Sequence, residues 1–119
     1  MKPGAVTPEE LESLLEDGFV LGDRQALAGL FEAGGVLCAS PGLAAIEVRG
    51  SEQITLAAGA LCERGFSYLA GSQRVLQAGD TALVVARRAI NVMRRGADRR
   101  WLYAVAYLTT GGAAEESSR

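Results

Sequence analysis

The chain contains no histidine, and its two cysteines, Cys38 and Cys62, do not form a CxxC pair. Those absences exclude a thiolate–histidine dyad, a Ser-His-Asp triad and a His-ligated zinc site within the chain. Lys2 is the only lysine, and neither a Gly-x-Gly-x-x-Gly run nor a phosphate-loop lysine is present. Unclustered thiols suit a reducing compartment, where a free cysteine is ordinarily a small buried hydrophobe. Met1 to Glu16 lacks a basic segment followed by an apolar run, and no apolar stretch is long enough to span a bilayer. The expectation is a cytoplasmic protein with no membrane contact, no cofactor and no metal.

What is present is ordinary for one globular domain. The chain has 119 residues, of which 49% are apolar and 22% charged. That composition supports a core without metal or disulfides. Net charge is −2 but divided: residues 1–63 carry ten acids and three bases (−7), and residues 64–119 four acids and nine bases (+5). Such asymmetry marks an anion-binding surface, or halves that attract each other or a second copy. The doublets Arg87-Arg88, Arg94-Arg95 and Arg99-Arg100 lack the aromatic interleaving of a nucleic-acid surface, so no nucleic-acid partner is expected.

Local signals predict helix over 8–33 and 51–64. Thr7 caps, Pro8 fits the first turn, and Glu10 stands where a capping box takes an acid. Leu11, Leu14, Leu15 and Phe19 recur at helical spacing. Gly22 ends this helix, Asp23 caps a second one bearing Leu27, Leu30 and Phe31, and Gly34-Gly35 stops it. Val36 to Ser40 and Ala45 to Arg49 read as a hairpin around Pro41-Gly42. Ser51 caps a third helix that Gly65 closes. The rest, 66–110, reads as antiparallel sheet: 66–70, 74–77, a long run over 81–93, and a strand with Trp101, Tyr103, Val105 and Tyr107 at period two. Residues 111–119 read as a disordered tail behind a single domain, 1–110.

This order resembles the NTF2-like superfamily, in its SnoaL-like and ketosteroid-isomerase-like branch. The resemblance lies in the 27–37 helix-to-strand segment, Arg49-Gly50-Ser51-Glu52-Gln53-Ile54, Gly79-Asp80-Thr81-Ala82-Leu83-Val84, and Ala97-Asp98-Arg99-Arg100-Trp101-Leu102. It implies an α+β, cystatin-like cone: N-terminal helices packed on a curved antiparallel sheet, with a cavity at the wide end and a homodimer as the common assembly. Members include isomerases, cyclases and hydrolases, and also non-catalytic binding or scaffold modules. Two departures stand out. Gly34 to Ser40 lacks the acid that the isomerases carry near their first strand. The run from Asn91 to Trp101 leaves no room for the usual extra strand, so the cone is shallow or a partner chain completes it.

Alternation assigns the candidate ligand site. With a three-residue loop at Gly96-Ala97-Asp98 pairing Arg95 with Arg99, the residues Arg87, Asn91, Trp101, Tyr103 and Tyr107 share one face. That face suits a small-molecule cavity, and it equally suits core or dimer packing. An inward Arg87 requires an anionic partner. Of the acids in predicted sheet or turn, only Glu47 and Asp80 fall near the mouth; one suits an exposed strand, the other a turn. No catalytic residue is assigned.

Overall fold

The computed structural model describes residues 4–40 and 45–109. The expected Pro41-Gly42 turn and the tail 111–119 lie outside the described residues. Three helices precede or interrupt the strands: α1 (Pro8–Leu21), α2 (Arg24–Ala28) and α3 (Ser51–Glu63). Six strands follow the order β1 (Phe31–Ser40), β2 (Ile46–Arg49), β3 (Gln73–Ala78), β4 (Thr81–Ala86), β5 (Ala89–Arg95) and β6 (Trp101–Thr109). They form one curved, unclosed sheet in the spatial order β2-β1-β6-β5-β4-β3. Every pairing is antiparallel except β1 with β6, so the sheet is mixed. No helix among the described residues is long and apolar enough to cross a membrane.

Helix α1 forms as its caps dictate. Thr7 accepts a hydrogen bond from Glu10 N at 3.0 Å, and Glu10 accepts one from Val6 N at 2.7 Å. Gly22 leaves the helix in the left-handed region at φ 66°, where a side chain would be strained. Asp23 caps α2 through Ala26 N. The second helix is shorter than expected: it ends at Ala28, and Leu30 and Phe31 lead into β1. The glycine pair at 34–35 serves a bulge instead of a helix stop. Gly34 has φ 74°, and a Cβ on Gly35 would meet two carbonyl oxygens at 3.0 Å. The bulge lets β1 pair Phe31 with Tyr103 and Val36 with Val105, two partner residues spanned by five. Ser51 is the first helical residue of α3, and Gly50 takes the cap position without a side-chain hydrogen bond.

Two further strand expectations change. Residues 66–70 form no strand. They run as an extended strap with Phe66, Tyr68 and Ala70 buried and Ser67 and Leu69 exposed. The run 81–93 is two strands, β4 and β5, joined at Arg87-Arg88, with Ala86 opposite Ala89. The strand thought to be missing is therefore present.

The core lies between the helices and the concave face. Leu11, Leu15, Leu27, Ile54, Leu61, Met93, Trp101 and Leu108 are all essentially sealed. Phe19 of α1 meets Phe66 of the strap at 5.2 Å between ring centroids.

Candidate functional site

The buried stripe of α1 comprises Pro8, Leu11, Glu12, Leu15, Gly18 and Phe19. Six residues at this spacing form one helical face, and one of them is an acid. Glu12 has no exposed surface. Its carboxylate is held by three donors from three separate elements. The Tyr68 hydroxyl of the strap donates to Oε1. On Oε2, the Tyr103 hydroxyl of β6 donates at 2.7 Å and Asn91 Nδ2 of β5 at 2.8 Å. Asn91 uses its other end as well, since Oδ1 accepts from Tyr107 N at 3.0 Å. Tyr103 has a second, longer acceptor in the Leu11 carbonyl at 3.4 Å. Among the described residues no guanidinium contacts Glu12, so three neutral donors compensate its desolvation.

One turn along the helix, Glu16 Oε1 accepts from Ala70 N at 3.0 Å. Two carboxylates of α1 thus hold the strap where a neighbouring strand would otherwise have paired with it. Beside the strap lies an open groove of about 520 Å³, lined by residues 65–72 on one side and by Arg87 and Arg88 on the other. Tyr68 belongs to both the groove wall and the Glu12 cluster.

Burial pushes the Tyr68 phenol well up from its ordinary value, and its hydrogen bond to Glu12 and the neighbouring carboxylates act the same way. Burial likewise raises Tyr103, reinforced by the charge of Glu12. A pKa raised on folding means that the native state holds its proton longer than the unfolded chain. The stabilisation is complete below the unfolded phenol pKa of about 10 and declines above it, by about 1.4 kcal/mol per pH unit per phenol. Cys38 and Cys62, raised chiefly by burial, add the same sign. Urea unfolding between pH 8 and 11 is expected to show falling stability, with a shallower slope in Tyr68→Phe and in Tyr103→Phe.

The structure separates the five residues that alternation grouped. Asn91 and Tyr103 meet on Glu12. Trp101 is sealed in the core, with the Arg95 guanidinium 5.1 Å from its ring centroid. Arg87 is exposed at the groove rim and Arg88 is half-buried beside it. The two arginines form the turn between β4 and β5, so strand alternation does not assign Arg87 a face. Tyr107 lies on the opposite, convex face, 41% exposed. The connection before β6 has five residues, pairing Arg95 with Trp101 and preserving the expected parity there. A register shift opposite Val92 and Met93 then leaves Ala104 extra and reverses the faces beyond it. Glu47 is exposed on β2, and Asp80 is a turn residue bonded to Arg95 Nε at 2.8 Å. The carboxylate at the centre comes from a helix, and neither Glu12 nor Tyr68 was expected. A charge at position 12, on the edge of the Leu11–Leu15–Phe19 stripe, was the available signal.

A scan against protein-family models finds no match, and a search of curated proteins finds none. Solved structures do match. An NTF2-like protein with a cystatin-like fold from Novosphingobium aromaticivorans superimposes with a TM-score of 0.64 at 21% identity, over 92% of this chain and 84% of that one. This is the NTF2-like fold. A ketosteroid isomerase-like protein from Erwinia carotovora atroseptica gives 0.64 at 16% identity, over 85% and 91% of the two chains. ActVI-ORFA from Streptomyces coelicolor gives 0.62 at 19% identity, over 84% and 92%. NTF2-like neighbours at this identity share architecture, and the chemistry has to be argued from the side chains.

Proposed function

We propose that this NTF2-like chain binds a small, partly apolar molecule carrying a carboxylate. The groove between the strap and the Arg87-Arg88 turn is its site. The supporting observation is the shared lining: Arg87 and Arg88 border the groove with a strap whose Leu69 is exposed and whose Phe66 and Tyr68 are buried. Guanidinium groups suit carboxylates, and the apolar wall suits the remainder of the ligand. An enzymatic version, a SnoaL-like isomerase, cyclase or hydrolase, would need a group that moves a proton, and the Glu12 cluster stands behind the groove. Phenylacetate and related aromatic carboxylates are suitable probes. Their affinity is expected to fall about 10- to 100-fold in an Arg87→Met/Arg88→Met double variant, the loss of one or two charge-assisted hydrogen bonds. Unchanged affinity in that variant rules the arginines out as the anchor.

The convex face favours a second, compatible reading as a homodimeric interaction module. Across the sheet, Leu76, Leu83, Val92, Val105 and Val36 form one row. The adjacent row runs Arg74, Val85, Ile90, Tyr107, Cys38 and Glu47. Leu76 is 55% and Ile90 50% exposed, high values for an apolar face. The second row has a base at one end and an acid at the other. Two copies packed face to face about a two-fold axis along the strands would set Arg74 of each over Glu47 of the other. Light scattering at micromolar concentration is expected to give a dimer, Ile90→Lys a monomer. Arg74→Glu should weaken the dimer, and adding Glu47→Arg should restore it. A wild-type monomer refutes this assembly.

A further inference from the structure

We propose that the carboxylate-bearing molecule is a short apolar peptide with a free C-terminus, held along the strap as an added parallel strand with its terminal carboxylate on Arg87. The inference rests on the groove being that molecule's site. The strap is an extended segment with one flank in use and the other bare. Phe66 N donates to the Leu61 carbonyl, and Ala70 N donates to Glu16 Oε1. Among the described residues the backbone N–H and C=O groups of Ser67 and Leu69 have no hydrogen-bond partner. An extended chain sends the peptide groups of alternate residues to opposite flanks. Those of Ser67 and Leu69 therefore point away from the flank on which Ala70 meets α1. Residues 65–72 all line the groove, and among the described residues none of α1 does. The bare flank is thus the groove side.

Arg87 fixes the direction. Strands β3 and β4 pair as far as Gln73 opposite Ala86. Ser72 and Arg87 come next, and both line the groove, so this arginine stands at the C-terminal end of the strap. Arg87 is exposed, and among the described residues its guanidinium has no hydrogen bond or ion pair. A guanidinium takes a carboxylate through paired charge-assisted hydrogen bonds. A peptide anchored there, with its chain running back along the strap, has its C-terminus at the same end as the strap's own. The pairing is parallel for that reason.

A simple aromatic acid reaches Arg87 but leaves the four backbone groups of Ser67 and Leu69 unused. A peptide engages both features, since a free strand flank beside an open groove is what β-strand addition requires. In a parallel pair, each strap residue bonds the two peptide residues that flank the one opposite it. Ser67 and Leu69 consequently use one alternate set of peptide amides and leave the other set free. A pentapeptide spans about 17 Å when extended, enough to run from Ser72 back to Ser67. Apolar side chains on it would also cover Leu69, which is 71% exposed.

The probe is acetyl-Ala-Leu-Ala-Leu-Ala with a free carboxylate, titrated into the full chain beside phenylacetate. The peptide is expected to bind about tenfold or more tightly than phenylacetate, and its C-terminal amide about 10- to 100-fold more weakly than the acid. Arg87→Met should erase the difference between acid and amide. N-methylation of one alternate set of peptide amides should abolish the gain over phenylacetate, and N-methylation of the other set should leave it. In the complex, hydrogen exchange should slow at Ser67 and Leu69 and stay unchanged at Phe66 and Ala70, whose amides are already held. Three results overturn the inference: peptide affinity no better than that of phenylacetate, an equal response to the two methylated sets, or a complex in which Ser67 and Leu69 exchange as in the free protein. If phenylacetate binding still depends on the arginines, each of these leaves the groove as a site for simple carboxylates. Failure of phenylacetate and peptide alike refutes the groove as a ligand site, and the inference with it.

Discussion

Glu12→Ala is expected to lower the unfolding free energy by about 3–5 kcal/mol in urea titrations. The substitution removes a carboxylate that three buried donors share: the Tyr68 and Tyr103 hydroxyls and Asn91 Nδ2. A buried donor left without an acceptor costs about 1–3 kcal/mol. Tyr103 recovers part of its loss at the Leu11 carbonyl, while Tyr68 and the Asn91 amide have no second acceptor among the described residues. Against this stands relief from desolvating a charge, which keeps the net below the sum of the three. Glu12→Gln retains an acceptor but turns an amide N–H toward one donor, so about 1–2 kcal/mol is expected. Replacing the group together, as Glu12→Leu with Tyr68→Phe and Tyr103→Phe, should recover much of the alanine loss, since matched apolar side chains strand fewer donors. A loss below about 1 kcal/mol for Glu12→Ala would mean that the donors reach water, and the cluster is not sealed.

The same substitution should loosen the strap selectively. Among the described residues, 66–70 have no strand partner, and they are tied to α1 by Tyr68 on Glu12 and Ala70 N on Glu16. Removing the first tie leaves the Phe66–Phe19 contact and the second tie to hold the segment. Hydrogen exchange in the strap should accelerate more than in β4 to β6, whose amides are held by backbone pairing.

That arrangement explains why the strap and the cluster were hard to read from the sequence. Phe66, Tyr68 and Ala70 alternate as a strand would, and alternate burial is what they have. Alternation reports which side chains face inward; it does not report whether a neighbouring strand or a helix carboxylate satisfies the backbone. Glu12 failed to register for a related reason. Leucines at 11, 14 and 15 define the apolar stripe so fully that an acid about 20° beyond Phe19, at the stripe's edge, passes for its polar margin, although it is sealed. The helix caps, by contrast, are local chemistry between residues three or four apart. Thr7, Glu10, Gly22 and Asp23 accordingly act as their sequence positions dictate. Arg87-Arg88 is the opposite case. Neither residue is a turn former, and the β-branched residues on both sides hide a hairpin that long-range pairing imposes.

Trp101→Ala and Tyr107→Ala, two truncations on one strand, should differ sharply. Both aromatics sit at odd positions of β6, and strict alternation gives them one face and similar costs. The extra residue at Ala104 separates them: Trp101 is 1% exposed and Tyr107 is 41% exposed. Removing the indole opens a cavity in the core and takes away the ring under the Arg95 guanidinium. A loss of about 3–5 kcal/mol is expected. Removing the Tyr107 ring takes half-exposed area from the convex face, and a cost within about 1 kcal/mol is expected for the monomer. If the convex faces pair, the remaining effect of Tyr107→Ala appears as a concentration-dependent melting temperature, because it weakens association and not the fold of one chain. Thermal and urea melts at two protein concentrations separate the cases. Equal losses that do not change with concentration would place Tyr107 inside the core and remove the register shift that turns it outward.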